Sequence, residues 1–188
     1  NPSGNVDTYN VGIGYNAGLS ITTGTANAFI GGRAGDATTT GSTNTAVGTD
    51  ALSSNTTASN NVAVGYDCLV SNTSGTQNTA VGAGALDANT TAANNSAFGY
   101  NALGANTTGA NNVGIGQFSL DANTTGDANT ALGHNALTGN TTASKNTAVG
   151  KDALAVNTTG TENVAVGEVA LDANTTGNYN TAVGRHAL

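Results

Sequence analysis

The stretch NTAVG, residues 44–48, occurs again at residues 78–82, 146–150 and 180–184, with near copies such as NVAVG at 61–65. Its closing glycine sets a period, because a glycine recurs every 17 residues from Gly14 through Gly184. With the asparagine as position 1, the unit has the approximate consensus N-T-A-V-G-x-x-A-L-x-x-N-T-T-G-x-x. An uninterrupted short repeat of this kind predicts a solenoid, in which each unit contacts only its neighbours.

The repeat organises almost the whole chain. Ten complete units occupy residues 10–179, and a partial eleventh occupies residues 180–188. We therefore predict a single solenoid over residues 10–188, preceded by a lead-in over residues 1–9 that forms part of an earlier coil. Because the chain has no methionine and ends partway through a unit, we expect it to be a piece of a longer protein.

The residue types within the unit predict strands rather than helices. A unit of 17 residues is too short for a helix-turn-helix repeat of about 34 residues. Val, Ile and Thr recur in the NTAVG segment and favour extended backbone, whereas Asn and Gly supply turn conformations that other residues resist. The predicted fold class is all-β: a parallel β-solenoid, or β-roll, whose 17-residue coils each contain two short strands joined by tight corners.

Alternation along the first strand assigns its two faces. Positions 2 and 4 share one side, and position 4 is always Val, Ile, Leu or Phe. Positions 3 and 5 share the other side and are mostly Ala or Gly, which predicts a thin coil interior. Leu fills position 9 of every unit from Leu52 to Leu188 and forms a second apolar column. Burial of both columns predicts lateral packing between chains, and hence an oligomer.

The constant spacing of Asn and Gly between repeat units predicts ladders of these residues along the stack. Asn stands at position 1 of all eleven units and at position 12 of eight, and Gly stands at position 5 of all eleven. Stacked amides can donate and accept hydrogen bonds along a column, which satisfies corner groups that would otherwise be unpaired. The structural ladders are represented by Asn44, Asn61 and Asn78 at position 1, by Asn55, Asn72 and Asn89 at position 12, and by Gly48, Gly65 and Gly82 at position 5.

Composition argues against two classes of partner. Four Lys and Arg against eleven Asp and Glu give a net charge of -7, which leaves no basic stripe to neutralise phosphates. No run approaches the roughly 20 apolar residues of a membrane span. We therefore expect no nucleic-acid partner and no membrane insertion.

The few reactive side chains do not predict an enzyme. His134 and His186 are three coils and one residue apart, which corresponds to about 14 Å along a stack of ~4.8 Å coils. Cys68 replaces Ala at position 8 and is expected to be a buried, inert thiol. Asp50 and Asp67 share position 7 of adjacent coils, at a spacing close to that of retaining glycosidases, but this column varies as a solvated surface does. We predict no catalytic residue, no metal and no cofactor.

Position 6 changes freely between units, which indicates an exposed column. Tyr15, Tyr66 and Tyr100 occupy it in the first, fourth and sixth units. These tyrosines are either ordinary surface residues or receptor contacts that stack on sugars. The last three units carry charges of alternating sign at this position, and we expect these charges to fix the register between coils.

Two longer segments resemble repeats of known fibre proteins. NTAVGTDAL at residues 44–52 resembles the head repeats of trimeric autotransporter adhesins, and NTAVGKDALAVNTTGTEN at residues 146–163 is similar to repeat arrays of bacteriophage tail-fibre proteins. The resemblance implies a homotrimer of left-handed parallel β-rolls with the Val/Ile column facing the threefold axis. It also implies an extracellular location, on a virion fibre or a bacterial surface, and attachment to a cell-surface receptor or glycan.

The predicted function is therefore a structural and adhesive fibre segment, but three alternatives remain open. The V-G-x-x-A-L motif also fits, once per unit, the hexapeptide pattern of triangular left-handed β-helices. Thr at position 13 forms a ladder of ten rungs, from Thr22 to Thr175, that would suit an ice-binding solenoid. Adjacent threonines such as Thr56 and Thr57 are expected on opposite sides, so the ladder is either internal or exposed. The third alternative is a subunit of an end-to-end stacked filament.

Overall fold

The computed structural model describes residues 8–188, so most of the predicted lead-in, residues 1–7, lies outside the described residues. Each coil contains one three-residue strand, at positions 2–4 of its unit. In chain order the strands are β1 (Val11–Ile13), β2 (Ala28–Ile30), β3 (Thr45–Val47), β4 (Val62–Val64), β5 (Thr79–Val81), β6 (Ser96–Phe98), β7 (Val113–Ile115), β8 (Thr130–Leu132), β9 (Thr147–Val149), β10 (Val164–Val166) and β11 (Thr181–Val183).

All eleven strands form one parallel sheet in chain order. Residues 17 apart in the chain are paired throughout, as Thr45 with Val62 and Val47 with Val64. Because this offset never changes, every position of the sequence repeat becomes a continuous column along the stack. The prediction of an all-β parallel solenoid with 17-residue coils is confirmed, and residues 8–188 contain no helix.

The prediction of two strands per coil is wrong, since each coil within residues 8–188 has a single strand. Positions 5–12 instead form overlapping turns closed by hydrogen bonds from a backbone N–H to the carbonyl three residues earlier, and several coils have three of them. Residues at positions 7 and 9 have positive φ, as expected for the third residue of a type II turn. In the third coil the bonds join Ala51 to Gly48, Ser53 to Asp50 and Asn55 to Leu52.

The leucine at position 9 adopts a backbone conformation that leucine normally avoids. Leu52 has a φ of +56° and Leu86 a φ of +53°, and the left-handed region costs an L-residue roughly 1–2 kcal/mol. Both side chains are fully buried, which stabilises the fold by about 1.5–3 kcal/mol per leucine. The free energy gained by burying the leucine therefore exceeds the cost of its positive φ. The turn is stable because it directs this side chain into the interior.

Position 5 requires glycine for two independent reasons. Gly48 and Gly65 have φ values of +136° and +141°, a region that side chains exclude. A Cβ at either residue would also overlap the carbonyl oxygen of the position 5 glycine in the next coil. Successive backbones thus lie too close along this glycine column for a side chain to fit between them.

Small residues and one leucine per coil fill the interior. The third coil buries Ala46, Ala51 and Leu52 completely, at positions 3, 8 and 9. In the second coil Phe29 stands at position 3 and Gly35 at position 9, and a Cβ on Gly35 would lie 2.6 Å from the Phe29 ring. The phenylalanine ring therefore occupies the volume that leucine fills in later coils, so the interior stays packed despite the exchange.

Both asparagine columns are buried hydrogen-bond ladders. At position 1, the Nδ2 of Asn44 donates to the carbonyl of Ala58 at 2.9 Å, and its Oδ1 accepts from the backbone N–H of Asn61 at 3.0 Å. At position 12, the Nδ2 of Asn89 donates to the Oδ1 of Asn72 at 2.9 Å and to the carbonyl of Ala92 at 3.2 Å. Among residues 8–188 no buried side-chain nitrogen or oxygen lacks a partner. The amides thus satisfy a corner that water does not reach.

Candidate functional site

The outward face of the sheet carries an apolar column at position 4 that runs the length of the solenoid. We call it the apolar stripe, and it consists of Ile13, Ile30, Val47, Val64, Val81, Phe98, Ile115, Leu132, Val149, Val166 and Val183, all at position 4. Its members are half-buried or exposed, with 40% of Ile30 and 44% of Leu132 accessible. Position 3 points into the coil on these strands, so the pleat turns position 4 outwards.

The two apolar columns of the repeat therefore have different environments. The position 9 leucines from Leu52 to Leu154 are completely buried inside their own chain. The expectation that both columns need a neighbouring chain is thus wrong for the leucine column, because the turns at positions 7 and 9 direct it inwards. The apolar stripe is the column that stays uncovered, and contiguous exposed apolar surface of this kind is typical of an interaction site.

The threonine columns at positions 13 and 14 both lie at the surface. Thr56 and Thr57 are both exposed, so adjacent threonines do not point to opposite sides as strand alternation would require. The reason is that these positions form a bend and not a strand. The Thr56 hydroxyl donates to the carbonyl of Thr73 in the next coil at 3.3 Å. The position 13 hydroxyls thus form hydrogen bonds between coils. The residues at position 14 are exposed in all ten complete units.

The three tyrosines at position 6 are all exposed. Accessible fractions are 76% for Tyr15, 60% for Tyr66 and 51% for Tyr100. The neighbouring carboxylate of Asp67 raises the pKa of Tyr66. The ring of Tyr100 packs edge to face on that of Phe118, with centroids 5.4 Å apart and planes at 86°. Of the three rings, that of Tyr100 is therefore held by a neighbour at position 7.

A shallow groove follows positions 7, 10 and 11 along one side of the coils. One section, of about 480 Å³, is lined by Asp36, Asp50 and Asp67 together with Arg33. Another section, of about 340 Å³, is lined by Asp87 and by other residues of the fifth to seventh coils. Burial raises the pKa of the Asp87 carboxyl, and the charge of Asp67 adds to this effect. The repeat consensus did not predict the groove, because positions 7, 10 and 11 have no constant residue type.

Every lysine and arginine of the chain pairs with a carboxylate. The Nε of Arg185 lies 3.1 Å from the Oε2 of Glu168 across one coil spacing, but the Nζ of Lys151 pairs with Asp152 of its own coil. The alternating charges at position 6 thus produce one bridge between coils and not a continuous series. Surface pairs of this kind contribute little to stability. The two remaining pairs join Arg33 to Asp50 and Lys145 to Glu162.

The reactive side chains are not brought together into one site. His134 and His186 lie in the eighth and eleventh coils, both exposed. Cys68 is completely buried, its thiol donates to the carbonyl of Ala80 at 3.2 Å, and burial raises its pKa to about 12. Asp50 and Asp67 line the same groove, but the Oδ2 of Asp50 lies 2.6 Å from the guanidinium of Arg33. Asp50 is therefore occupied by an ion pair.

Within residues 8–188 there is no group of three or more His, Cys, Asp or Glu side chains placed to hold a metal ion. The same residues include no helix that is long and apolar enough to cross a bilayer. Comparisons of the chain with protein-family models, with curated proteins and with solved structures gave no match.

Proposed function

We propose that the chain is a segment of an extracellular adhesive fibre, the shaft or head of a phage tail fibre or bacterial surface adhesin. In this proposal three left-handed solenoids associate around the apolar stripe, and the resulting rod presents a receptor-binding surface to a host cell. The observation that carries the proposal is the apolar stripe itself. It extends over all eleven strands, although the second to tenth coils already bury apolar side chains in their own interior.

The outward face of the sheet supplies part of an interface between copies of the chain. Eleven strands at ~4.8 Å spacing and three residues of ~3.3 Å give the whole outward face of the sheet, with positions 2 and 4, a size of about 50 by 10 Å, or roughly 500 Å². A stable interface buries about 800 Å² per partner, so side chains at the edges of the sheet must contribute as well. A narrow, straight stripe suits a symmetric arrangement in which the same column of each copy lies at the axis.

The first test is the mass of the purified chain in solution, by light scattering after size exclusion at several concentrations. A constant mass of about 55 kDa, three times the 18.2 kDa chain, is expected. Val81→Asp places a charge at the centre of the stripe and should give monomers, whereas Thr91→Asp, on the exposed position 14 column, should not. A monomeric parent protein, or a Val81→Asp variant that stays trimeric, would overturn the proposed assembly. A mass that grows with concentration would favour the stacked filament.

A receptor-binding role needs a second measurement. The labelled trimer should bind to intact bacterial cells, and unlabelled trimer should compete for the same sites. If the trimer binds to none of a panel of bacterial hosts, the adhesive role is refuted and only the role of a structural shaft is retained. The left-handed coil is tested by a crystal structure of the same preparation.

Ice binding is the second candidate function, and the surface position of both threonine columns favours it. Ten exposed Thr or Ser residues at position 14 lie beside the position 13 threonines. Nine of these threonines, from Thr22 to Thr158, donate their hydroxyls to a carbonyl of the next coil. Such a face presents hydroxyl and methyl groups at one coil spacing. Measurable thermal hysteresis that Thr108→Lys and Thr125→Lys abolish would support this function, and an unchanged freezing point would exclude it.

A further inference from the structure

The structure also points to a ligand surface at position 6 of the first six coils. We propose that this column binds a linear, neutral, β-linked polysaccharide that lies parallel to the solenoid axis, with Tyr15, Tyr66 and Tyr100 as stacking platforms. We call the column over these coils the tyrosine track. The inference rests on the proposed function, since it names the chemical class of receptor that an exposed fibre segment would bind.

The residues between the tyrosines leave the track open. Tyrosine stands in the first, fourth and sixth coils, and its rings are at least half exposed. The three intervening residues are small, so no bulky side chain separates one ring from the next. From the seventh coil onward the column changes to Gln, His, Lys, Glu and Arg, which ends the track. The intervening residues are Gly32, Thr49 and Ala83.

The spacing of the rings follows the coil rise. Tyr66 and Tyr100 are two coils apart, or about 9.6 Å at ~4.8 Å per coil, and Tyr15 lies three coils, about 14 Å, before Tyr66. One sugar residue of an extended β-linked chain advances by nearly one coil. Sugars two and three residues apart therefore align with successive tyrosines, and a hexasaccharide spans the whole track.

One of the rings is already held before a ligand arrives, because the Tyr100 ring packs edge to face on the ring of Phe118. A side chain that is already held loses less freedom on binding, so more of the stacking energy remains as affinity. Tyrosine rings also suit sugars, because the apolar face of a pyranose packs on the ring while its hydroxyls stay hydrated.

Polar groups and charge beside the track indicate a neutral ligand. Asp67 offers a carboxylate, and the Oδ1 of Asn101 lies directly over Gly84, between the second and third tyrosines. Both can bond to sugar hydroxyls. All four cationic side chains of the protein are paired, while Asp36, Asp87 and Asp121 have no cationic partner among the described residues. An anionic polysaccharide would therefore be repelled.

The test is isothermal titration of the purified, assembled protein with cellohexaose and with hexa-N-acetylchitohexaose. For comparison, the corresponding trisaccharides and maltohexaose, a curved neutral hexasaccharide, are titrated under the same conditions. At least one extended hexasaccharide should bind about tenfold more tightly than its trisaccharide, because it reaches a further tyrosine. Tyr66→Ala and Tyr100→Ala should each weaken binding about tenfold. Tyr179→Ala is the matched control, since Tyr179 is 74% exposed but lies in the position 17 column.

Three results would overturn the tyrosine track. These are the absence of binding by both extended hexasaccharides, equal binding by the Tyr66→Ala and Tyr100→Ala variants, and equal binding of maltohexaose. Each result leaves the fibre proposal intact if the mass in solution is that of a trimer. A monomeric mass combined with tyrosine-dependent binding would refute the fibre assembly and retain the track.

Discussion

The position 12 ladder should lose a defined amount of stability when one amide is removed. Asn89→Ala deletes three hydrogen bonds: from the Asn89 Nδ2 to the Oδ1 of Asn72 at 2.9 Å, to the carbonyl of Ala92 at 3.2 Å, and from the Asn106 Nδ2 at 3.2 Å. The Ala92 carbonyl keeps a bond from Asn78 at 2.8 Å, and Asn106 keeps its bond to a carbonyl of its own coil. The Oδ1 of Asn72 is the acceptor that loses its side-chain donor.

The expected loss follows from this inventory. A buried acceptor left unsatisfied costs about 1–3 kcal/mol, and each remaining bond contributes about 1 kcal/mol net. Because two of the partners keep another bond, we expect the free energy of unfolding to fall by about 2–4 kcal/mol for Asn89→Ala. Thr91→Ala, two residues away on the exposed position 14 column, should change it by less than about 0.5 kcal/mol.

Asn89→Asp tests the hydrogen-bond argument separately from packing, because the two side chains have nearly the same shape. The new carboxylate would face the Oδ1 of Asn72 and the Ala92 carbonyl, which are both acceptors, so its folded-state pKa should be raised. A raised carboxyl pKa means that the destabilisation is present at neutral pH and is relieved as pH falls through that pKa, when the protonated group donates again. Asn89→Asp should therefore be more destabilised than Asn89→Ala at pH 7 and less at low pH.

The assay is equilibrium unfolding in urea, followed by far-ultraviolet circular dichroism at pH 7 and at pH 4. Protein concentration is held constant, because an oligomer's apparent stability depends on it. An Asn89→Ala variant within about 0.5 kcal/mol of the parent would refute the ladder as a source of stability. A pH-independent Asn89→Asp variant would refute the assignment of donor and acceptor.

Two further predictions concern the interior. The Cys68 thiol should resist iodoacetamide in the native protein at pH 8 and react within minutes in urea, as measured by mass spectrometry, since it is fully buried with a pKa of about 12; rapid native labelling would contradict its position. Phe29→Ala should destabilise the protein by about 3–5 kcal/mol, and Gly35→Leu should also destabilise it, because a Cβ there meets the Phe29 ring. The double variant recreates the Ala and Leu of later coils and should recover much of the loss in thermal unfolding, whereas additive losses would refute the exchange of volumes.

The periodic part of the fold could be predicted from the sequence. The recurrence of glycine every 17 residues fixed the coil length, and the residue types of the NTAVG segment placed the strand. Periodicity could not predict the second half of the coil. Position 7 is often Asn or Asp, which tolerate positive φ, but leucine at position 9 is an unusual residue for that region. Its conformation depends on burial, which local propensity does not report.

The candidate surfaces were predictable only in part. The three tyrosines at position 6 were identified as exposed because their column varies, but the contact of Tyr100 with Phe118 joins adjacent coils through an irregular pair of residues. Likewise, the groove beside Asp87 arises from positions with no constant residue. A repeat consensus averages such differences away, so features specific to a few coils need the structure.

The sequence by itself determined that this protein is a parallel β-solenoid of 17-residue coils, because a constant offset forces each residue type into a column. Only the tertiary structure decided which columns are buried. Alternation states which positions share a side of a strand, but it applies only while the backbone is extended. The backbone is not extended at positions 7 and 9, where φ is positive, or at the bend of positions 13 and 14, so side chains do not alternate there. For this reason the leucines lie inside and both threonine columns lie outside. The apolar stripe lies on the strands, where alternation holds and leaves it uncovered.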